Sequence, residues 1–201
     1  MRCEVELAGF VPKSPGPPLI RFYLTVNAET IRPAEPRDLV RLQAIYAEHV
    51  LGACASFEVE PPTLQEMTRR VEQLVAKNFP FLVIARESEV LGYAYAGPYR
   101  DREAYRWTVE DAIYLASDVC GRGLGKRLLK ALVDESTRRG FRHMVAAIGD
   151  SKNEASIRVH RACGFVDAGT LREVGYKHGR WVDVVFMTRP LGPGATSSPL
   201  P

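Results

Sequence analysis

No two cysteines form a C-x-x-C pair: Cys3, Cys54, Cys120 and Cys163 are scattered singly along the 201 residues. Such spacing offers neither a zinc site nor a redox motif and predicts reduced thiols, as in the cytoplasm. No metal is expected. No run reaches the roughly 18 apolar residues that a membrane-spanning helix needs. Glu4 and Glu6 interrupt the first residues, and no apolar signal-peptide core follows. Charge of one sign is also lacking. The 27 Lys and Arg against 24 Asp and Glu leave a net +3, with cations and acids interspersed, which argues against a nucleic-acid partner. There is no internal repeat. The expectation is therefore a soluble, cytoplasmic globule with no membrane or nucleic-acid partner. Its hydrophobic fraction of 46% suits one well-buried core.

Glycine is concentrated where it matters. The stretch Cys120-Gly121-Arg122-Gly123-Leu124-Gly125-Lys126-Arg127 follows a strand-like run, Asp111 to Ala116, and opens into an apolar-periodic helix. Strand, basic glycine-rich turn and helix make an anion site, because the free N–H groups of a helix's first turn and the helix dipole both favour negative charge. The reading is a diphosphate cradle.

Taken in order, residues 1–28 form an extension broken by Pro12, Pro15, Pro17 and Pro18, in which Leu19 to Leu24 is either an edge strand or disordered. Thr30 to Pro33 reads as a short strand. Pro36 then opens a helix with Leu39, Leu42, Tyr46 and Val50 on one face. Thr63 and Glu66 form a capping box before a second helix with Leu64, Met67, Val71, Leu74 and Val75. Phe81 to Ala85 and Val90 to Ala96 are two strands linked by Glu87-Ser88-Glu89. After the cradle, Leu124, Leu128, Leu129, Leu132 and Val133 face the core and Gly140 ends the helix. His143 to Ile148 is a strand, Asn153 starts a short helix that ends at Gly164, and Phe165 to Thr170 and Trp181 to Met187 close the sheet around a basic loop, Gly175 to Arg180. Residues 192–201 read as a disordered tail. This order gives an α/β or α+β sheet with helices packed on it, not a regularly alternating, doubly wound fold.

Three phosphate motifs compete for the cradle. A P-loop needs Gly at Cys120 and Ser or Thr at Arg127. A dinucleotide G-x-G-x-x-G fails at Lys126 in one register and at Leu128 in the other. The third is the acetyl-CoA signature Gln/Arg-x-x-Gly-x-Gly/Ala, present as Cys120 to Gly125. Four more stretches, in order along the chain, add to this signature: Gly92-Tyr93-Ala94-Tyr95-Ala96-Gly97-Pro98, Ala104-Tyr105-Arg106-Trp107-Thr108-Val109-Glu110, Asn153 to His160, and Arg172 to Trp181. On these residues the chain, from about Thr30 to Leu191, resembles the GNAT superfamily of N-acetyltransferases. Within it, the chain looks like the branch of phosphinothricin and methionine sulfoximine or sulfone acetyltransferases.

The resemblance implies a domain over 29–191 with a mixed, mostly antiparallel sheet of about seven strands, about four flanking helices, and a splay at the cofactor strand. It implies acetyl transfer from acetyl-CoA to the primary amine of a small amino-acid-like substrate within a ternary complex, and a homodimer. Acetyl-CoA contacts fall on Ile113, Tyr114, Leu115, Gly121, Arg122, Gly123, Leu124, Gly125, Lys126, Asn153 and Ser156. One departure stands out: Cys120 replaces the signature's opening Gln or Arg, which leaves charge to Arg122 and Lys126.

Acetyl transfer needs a base for the amine, donors for the carbonyl oxygen and a proton for the thiolate. Glu110, beside Trp107 and Val109, is the base candidate, and the resemblance gives its position that role. Leu115 N–H is the oxyanion donor. Asn153, Ser156 and His160 share one helix face. His160 stands where many relatives carry a tyrosine near the sulfur; it is acid, assisting base or structural. Phe57, Glu58, Arg100, Tyr105 and Arg106 are expected around the acceptor, with Lys177 and Arg180 joining from this chain or a second copy. Two other readings stay open: a protein or peptide N-terminal acetyltransferase, which needs an open groove where the Tyr99–Arg106 loop is expected to close a small pocket, and a non-catalytic acyl-CoA-binding module.

Overall fold

The computed structural model describes residues 28–199. The extension expected at the N-terminus, including its Leu19–Leu24 segment, lies outside the described residues up to residue 27, as do residues 200 and 201.

Seven strands form one sheet: β1 (Thr30–Pro33), β2 (Phe81–Arg86), β3 (Glu89–Pro98), β4 (Thr108–Leu115), β5 (His143–Gly149), β6 (Val166–Lys177) and β7 (Arg180–Pro190), in the order β1-β2-β3-β4-β5-β7-β6. Helices α1 (Leu39–Gly52) and α2 (Leu64–Ala76) join β1 to β2; α3 (Leu124–Arg138) joins β4 to β5; α4 (Glu154–Ala162) joins β5 to β6. A helical crossover allows two consecutive strands to run parallel, and β4–β5, joined by α3, is the parallel pair; every other pairing is antiparallel. The mixed sheet and four helices are those that the resemblance implies.

The apolar stripes find the core as their spacing predicts. Leu42, Ile45, Tyr46 and Val50 of α1 are buried, as are Leu124, Leu128, Leu129, Leu132 and Val133 of α3. In α2 the stripe is narrower: Met67 and Val71 are buried, but Leu64 and Val75 at the helix ends are exposed. Half of the capping box forms. Thr63 accepts from Glu66 N–H, while the Glu66 carboxylate is taken by Arg69 and Arg70. The link between β2 and β3 is tighter than expected, because Glu89 already pairs with Arg86.

The last hairpin differs most from the expectation. The basic loop Gly175–Arg180 is mainly strand: Tyr176 pairs with Trp181 and Lys177 with Arg180, which leaves a turn at His178 and Gly179. Polar residues on an exposed edge read as loop in sequence, yet they suit the solvent side of a ladder. Irregular register between Leu171 and Gly175 places Glu173 at positive φ, and Asp183 accepts its N–H at 3.0 Å. In the tail, residues 192–199 run through turns in which Arg142 Nε donates to Gly194 O at 2.8 Å.

One irregularity creates a site. β4 and β5 pair from Thr108–His143 to Asp111–Ala146 and no further. β4 stays with β3 as far as Leu115–Gly92, and β5 stays with β7 as far as Gly149–Val184. The two strands therefore part beyond Asp111. The end of β5 lies against the chain after α1: a Cβ on Gly149 would run into the Cys54 carbonyl oxygen and approach Phe57 Cε2 at 3.2 Å. Gly149→Ala is expected to cost about 1–3 kcal/mol in urea denaturation, the usual cost of overpacking. An unchanged midpoint would show that the 53–57 segment yields freely.

Candidate active site

Backbone pairing decides what the parted strands offer. In an antiparallel pair successive residues turn their N–H and C=O alternately toward and away from the partner. Ala116 N–H donates to Leu91 O across the β3–β4 ladder, so Ala112 and Tyr114 also face β3. Asp111, Ile113 and Leu115 face the other way. Asp111 lies within the paired stretch with β5, whereas Ile113 and Leu115 lie beyond it. The Leu115 carbonyl is taken by His49 Nε2 of α1 at 2.8 Å. Leu115 N–H and both backbone groups of Ile113 remain directed into the gap.

The gap opens a cavity of about 1150 Å³, whose wall includes Ile113, Tyr114, Leu115, Asn153 and Ser156. The glycine turn forms one end. Gly121 and Gly123 have φ of 80° and 77°, the left-handed region that glycine enters without penalty. Gly123 is the N-cap of α3 and supplies no side-chain cap. The first-turn N–H groups of α3 are thus left for an anion. Gly121, Gly123, Leu124, Gly125 and Lys126 line the cavity. Arg122 does not; its guanidinium turns to Asp118 O at 3.4 Å. Cys120 is on the wall, exposed, with its thiol on Ala116 O. Asn153 caps α4 by accepting from Ser156 N–H at 3.2 Å.

Glu110 and Asp111 are neighbours on β4, so their side chains leave opposite faces of the sheet. Glu110 is half-buried on the cavity wall. Burial pushes its carboxyl pKa up, Arg100 pulls it back, and Asp111 adds to the rise. On the other face Asp111 meets His160 of α4: Nε2 to Oδ2 is 3.0 Å, and His160 Nδ1 is 2.8 Å from Ser156 O. Both side chains are almost fully buried and both belong to the cavity wall. Burial lowers the imidazole pKa, but the Asp111 hydrogen bond and charge, together with the Ser156 carbonyl, outweigh it and leave the pKa raised.

The remaining expected residues divide. Phe57 lines the cavity and covers Gly149 and Gly175, and Arg180 reaches the wall, where it pairs with Asp150 and donates to Cys54 Sγ. Glu58 stays off the wall, held by Tyr46 and Arg70. Lys177 is buried behind the 53–57 segment with Nζ on Ser56 O at 2.6 Å, and burial lowers its pKa. Its partner belongs to its own chain. Arg100 lies over the Tyr99 ring, Tyr105 abuts Tyr99, and Arg106 pairs with Glu103; none of the three lines the cavity. The 49–57 segment, rather than the Tyr99–Arg106 loop, roofs the cavity.

Several wall residues escaped the sequence reading: His49, Cys54, Tyr95, Asp111, Lys152 and Arg158. His49 had a signal, since it follows Leu42, Ile45 and Tyr46 at helical spacing. Asp111 had only its place beside Glu110. Among the described residues, no group of three or more His, Cys, Asp or Glu is placed to hold a metal ion, and no helix is long and apolar enough to cross a membrane.

A seven-stranded sheet parted at its parallel pair, with a glycine-capped helix at the parting, defines an acyl-CoA-type transferase. The chain belongs to the acetyltransferase (GNAT) domain family, whose model matches residues 31–186, and it is an N-acetyltransferase. It is similar to the phosphinothricin N-acetyltransferase of Alcaligenes faecalis, 44% identical over 94% of this chain and 96% of that protein. It is also similar to the L-methionine sulfoximine/L-methionine sulfone acetyltransferase of Pseudomonas aeruginosa, 39% identical over 82% of this chain and 95% of that one. A crystal structure of a phosphinothricin acetyltransferase from Sinorhizobium meliloti in complex with acetyl-CoA aligns with a TM-score of 0.83 at 43% identity, covering 86% of this chain and 93% of that chain.

The His49 contact gives a structural test. His49→Ala leaves the Leu115 carbonyl without that donor and is expected to cost about 1 kcal/mol of unfolding free energy. An unaltered urea midpoint would mean that water replaces the imidazole without loss.

Proposed function

We propose that the chain moves the acetyl group of acetyl-CoA to the primary amine of a small amino-acid-like acceptor of the phosphinothricin, methionine sulfoximine or methionine sulfone type, by direct transfer in a ternary complex. The observation that carries this reading is the parting of β4 from β5 with Glu110 beside it. The first turn of α3 and Lys126 hold the diphosphate, and the Ile113 backbone pairs with the pantetheine arm. Leu115 N–H donates to the thioester oxygen as negative charge develops there. Glu110, directly or through water, removes the proton from the attacking amine. Arg180, His178 and Lys152 on the wall suit an acceptor with a second acidic or sulfonyl end. Arg100 reaches the site only through its field, which holds back the rise of the Glu110 pKa. The reading needs no metal, because backbone donors polarise the carbonyl. The free thiols of Cys54, Cys120 and Cys163 support a cytoplasmic setting.

A homodimer belongs to the same proposal. Among the described residues β6 is an edge strand, and Leu171, Val174, Tyr176 and Trp181 are exposed on the last hairpin. Apolar side chains on an unpaired edge call for a partner, and a second copy is the partner proposed. Trp181→Glu is expected to shift sedimentation from dimer to monomer. A wild-type monomer at micromolar concentration would remove this part of the reading.

Thiol release from acetyl-CoA, measured with phosphinothricin, methionine sulfone, methionine sulfoximine, common amino acids, polyamines and peptides, tests the substrate class. Release is expected with at least one of the first three. Silence with all three but turnover of peptides would favour the N-terminal acetyltransferase reading. Because the Glu110 pKa is raised, its basic form fills only above the usual glutamate range. Activity should therefore fall as pH drops through that raised value. Glu110→Gln should abolish this acid limb and lower kcat by about 100-fold; an unchanged pH profile would reject Glu110 as base.

A further inference from the structure

Two empty spaces meet at one side chain. Besides the large cavity, a hollow of about 40 Å³ lies between the sheet and helices α1 and α2. It has room for about one water and no more than the end of a side chain. Met67, Val71 and Leu74 of α2, Tyr46 of α1, Phe81 of β2 and Tyr93 of β3 line it. Arg70 is the one charged group on its wall, and Glu58 and Glu66 hold that guanidinium. The hollow therefore offers apolar contacts and no unpaired charge. Among the described residues, Tyr95 alone lines both the hollow and the large cavity.

Strand register puts this ring beside the proposed base. Tyr93 pairs with Tyr114, Tyr95 with Ala112 and Gly97 with Glu110. Residues two apart on a strand share a face, and directly paired residues share it too. Tyr93, Tyr95 and Gly97 of β3 thus stand on one face with Glu110, Ala112 and Tyr114 of β4. Tyr95 is the diagonal neighbour of Glu110, and the charge of Glu110 is felt at its phenol. Its partner Ala112 is small, which leaves one side of the ring uncovered. Tyr95 accordingly stays partly exposed, whereas Tyr93 is 1% exposed. The other side of the ring is held. Phe81, its register partner on β2, stacks on it at 5.2 Å between centroids and 12° between planes, and Tyr93 lies nearly parallel at 6.4 Å. The hollow also reaches toward the base: Leu74 Cδ2 comes within 3.4 Å of where a Cβ on Gly97, the partner of Glu110, would stand.

We propose that Tyr95 is a specificity-determining residue: its ring is the partition that keeps long apolar side chains of the acceptor out of the space between β3 and α2. The inference rests on the reading above that the acceptor amine is deprotonated beside Glu110. With the ring in place, an acceptor can extend only toward the polar wall of Arg180, His178 and Lys152. Its far end is then best matched when it is acidic or sulfonyl. With the ring shortened, the hollow joins the cavity, and a side chain bound beside Glu110 can run on between Met67, Val71, Leu74 and Phe81. Apolar contact made there raises the rate with long aliphatic or aromatic amino acids without touching the acetyl-CoA end.

The test compares the wild-type chain with Tyr95→Phe, Tyr95→Leu and Tyr95→Ala, each with norleucine and phenylalanine against phosphinothricin and methionine sulfone. In the wild type, kcat/KM for the two apolar amino acids should lie about 10-fold or more below that of the better polar acceptor. Tyr95→Ala should raise the apolar-to-polar ratio by about 10-fold or more, with the acetyl-CoA KM within about twofold. Tyr95→Leu should give a smaller gain in the same direction; it keeps more of the core filled and serves where Tyr95→Ala does not fold. Tyr95→Phe keeps the ring and should hold the wild-type ratio within about twofold. Calorimetric binding of norleucine to the CoA-loaded proteins should follow the same order without any turnover. A wild type that uses phenylalanine as well as methionine sulfone would overturn the proposal. So would folded Tyr95→Leu and Tyr95→Ala proteins with an unmoved ratio, or a Tyr95→Phe protein that shifts it as far as Tyr95→Ala does. Failure of the wild type to release thiol with any amine would instead overturn the acetyl-transfer reading, and the binding order would still judge the role of Tyr95.

Discussion

Beyond Asp111, β4 has a hydrogen-bonding neighbour on one edge only. A buried strand rarely leaves backbone groups unpaired, because each costs free energy comparable to a lost hydrogen bond. Here the cost is met in part by His49, which takes the Leu115 carbonyl, and the rest stays open on a cavity. The surrounding fold keeps the strands apart. β5 is held to β7 as far as Gly149, whose missing side chain admits the Cys54 carbonyl, and β4 is held to β3 as far as Leu115. An extended ligand with amide groups can then complete the ladder that β5 leaves unfinished.

The roof over this gap depends on a polar chain behind it, buried at Tyr46, Ser56 and Lys177 and partly exposed at Glu58 and Arg70. Tyr46 donates to Glu58 and shares a hydrogen bond with Ser56; Arg70 donates to Glu58, and Lys177 donates to Ser56 O. Each group finds a partner in another element, so α1, α2, β6 and the 53–58 segment are fixed relative to one another. Buried polar networks specify geometry when their members are satisfied. Glu58 and Lys177 thus set the cavity's shape from behind, and Phe57 between them meets its interior.

What the sequence discloses follows the range of the interactions. The glycine turn and α3 are local: two glycines, a basic flank and an apolar period within one stretch suffice. Glu110 is legible because a strand edge and its neighbours are local too. His49 acts on a carbonyl 66 residues away, and Lys177 on one 121 residues away. Neither partner can be read from spacing. The Tyr99–Arg106 loop shows the opposite case. Its arginines and tyrosines suggest a pocket, but aromatic and acidic neighbours within a few residues take them up. His160 was visible as a residue, whereas its proton depends on Asp111, which sits 49 positions earlier on another element.

The central claim is that the unfinished edge of β4 is where acetyl-CoA lies. Backbone amide NMR during titration with CoA measures this residue by residue. Large shifts are predicted at Ile113 and Leu115 and in the first turn of α3, with much smaller ones at Ala112 and Tyr114, whose N–H groups already bond to β3. Saturating CoA that leaves Ile113 and Leu115 unmoved would contradict the account.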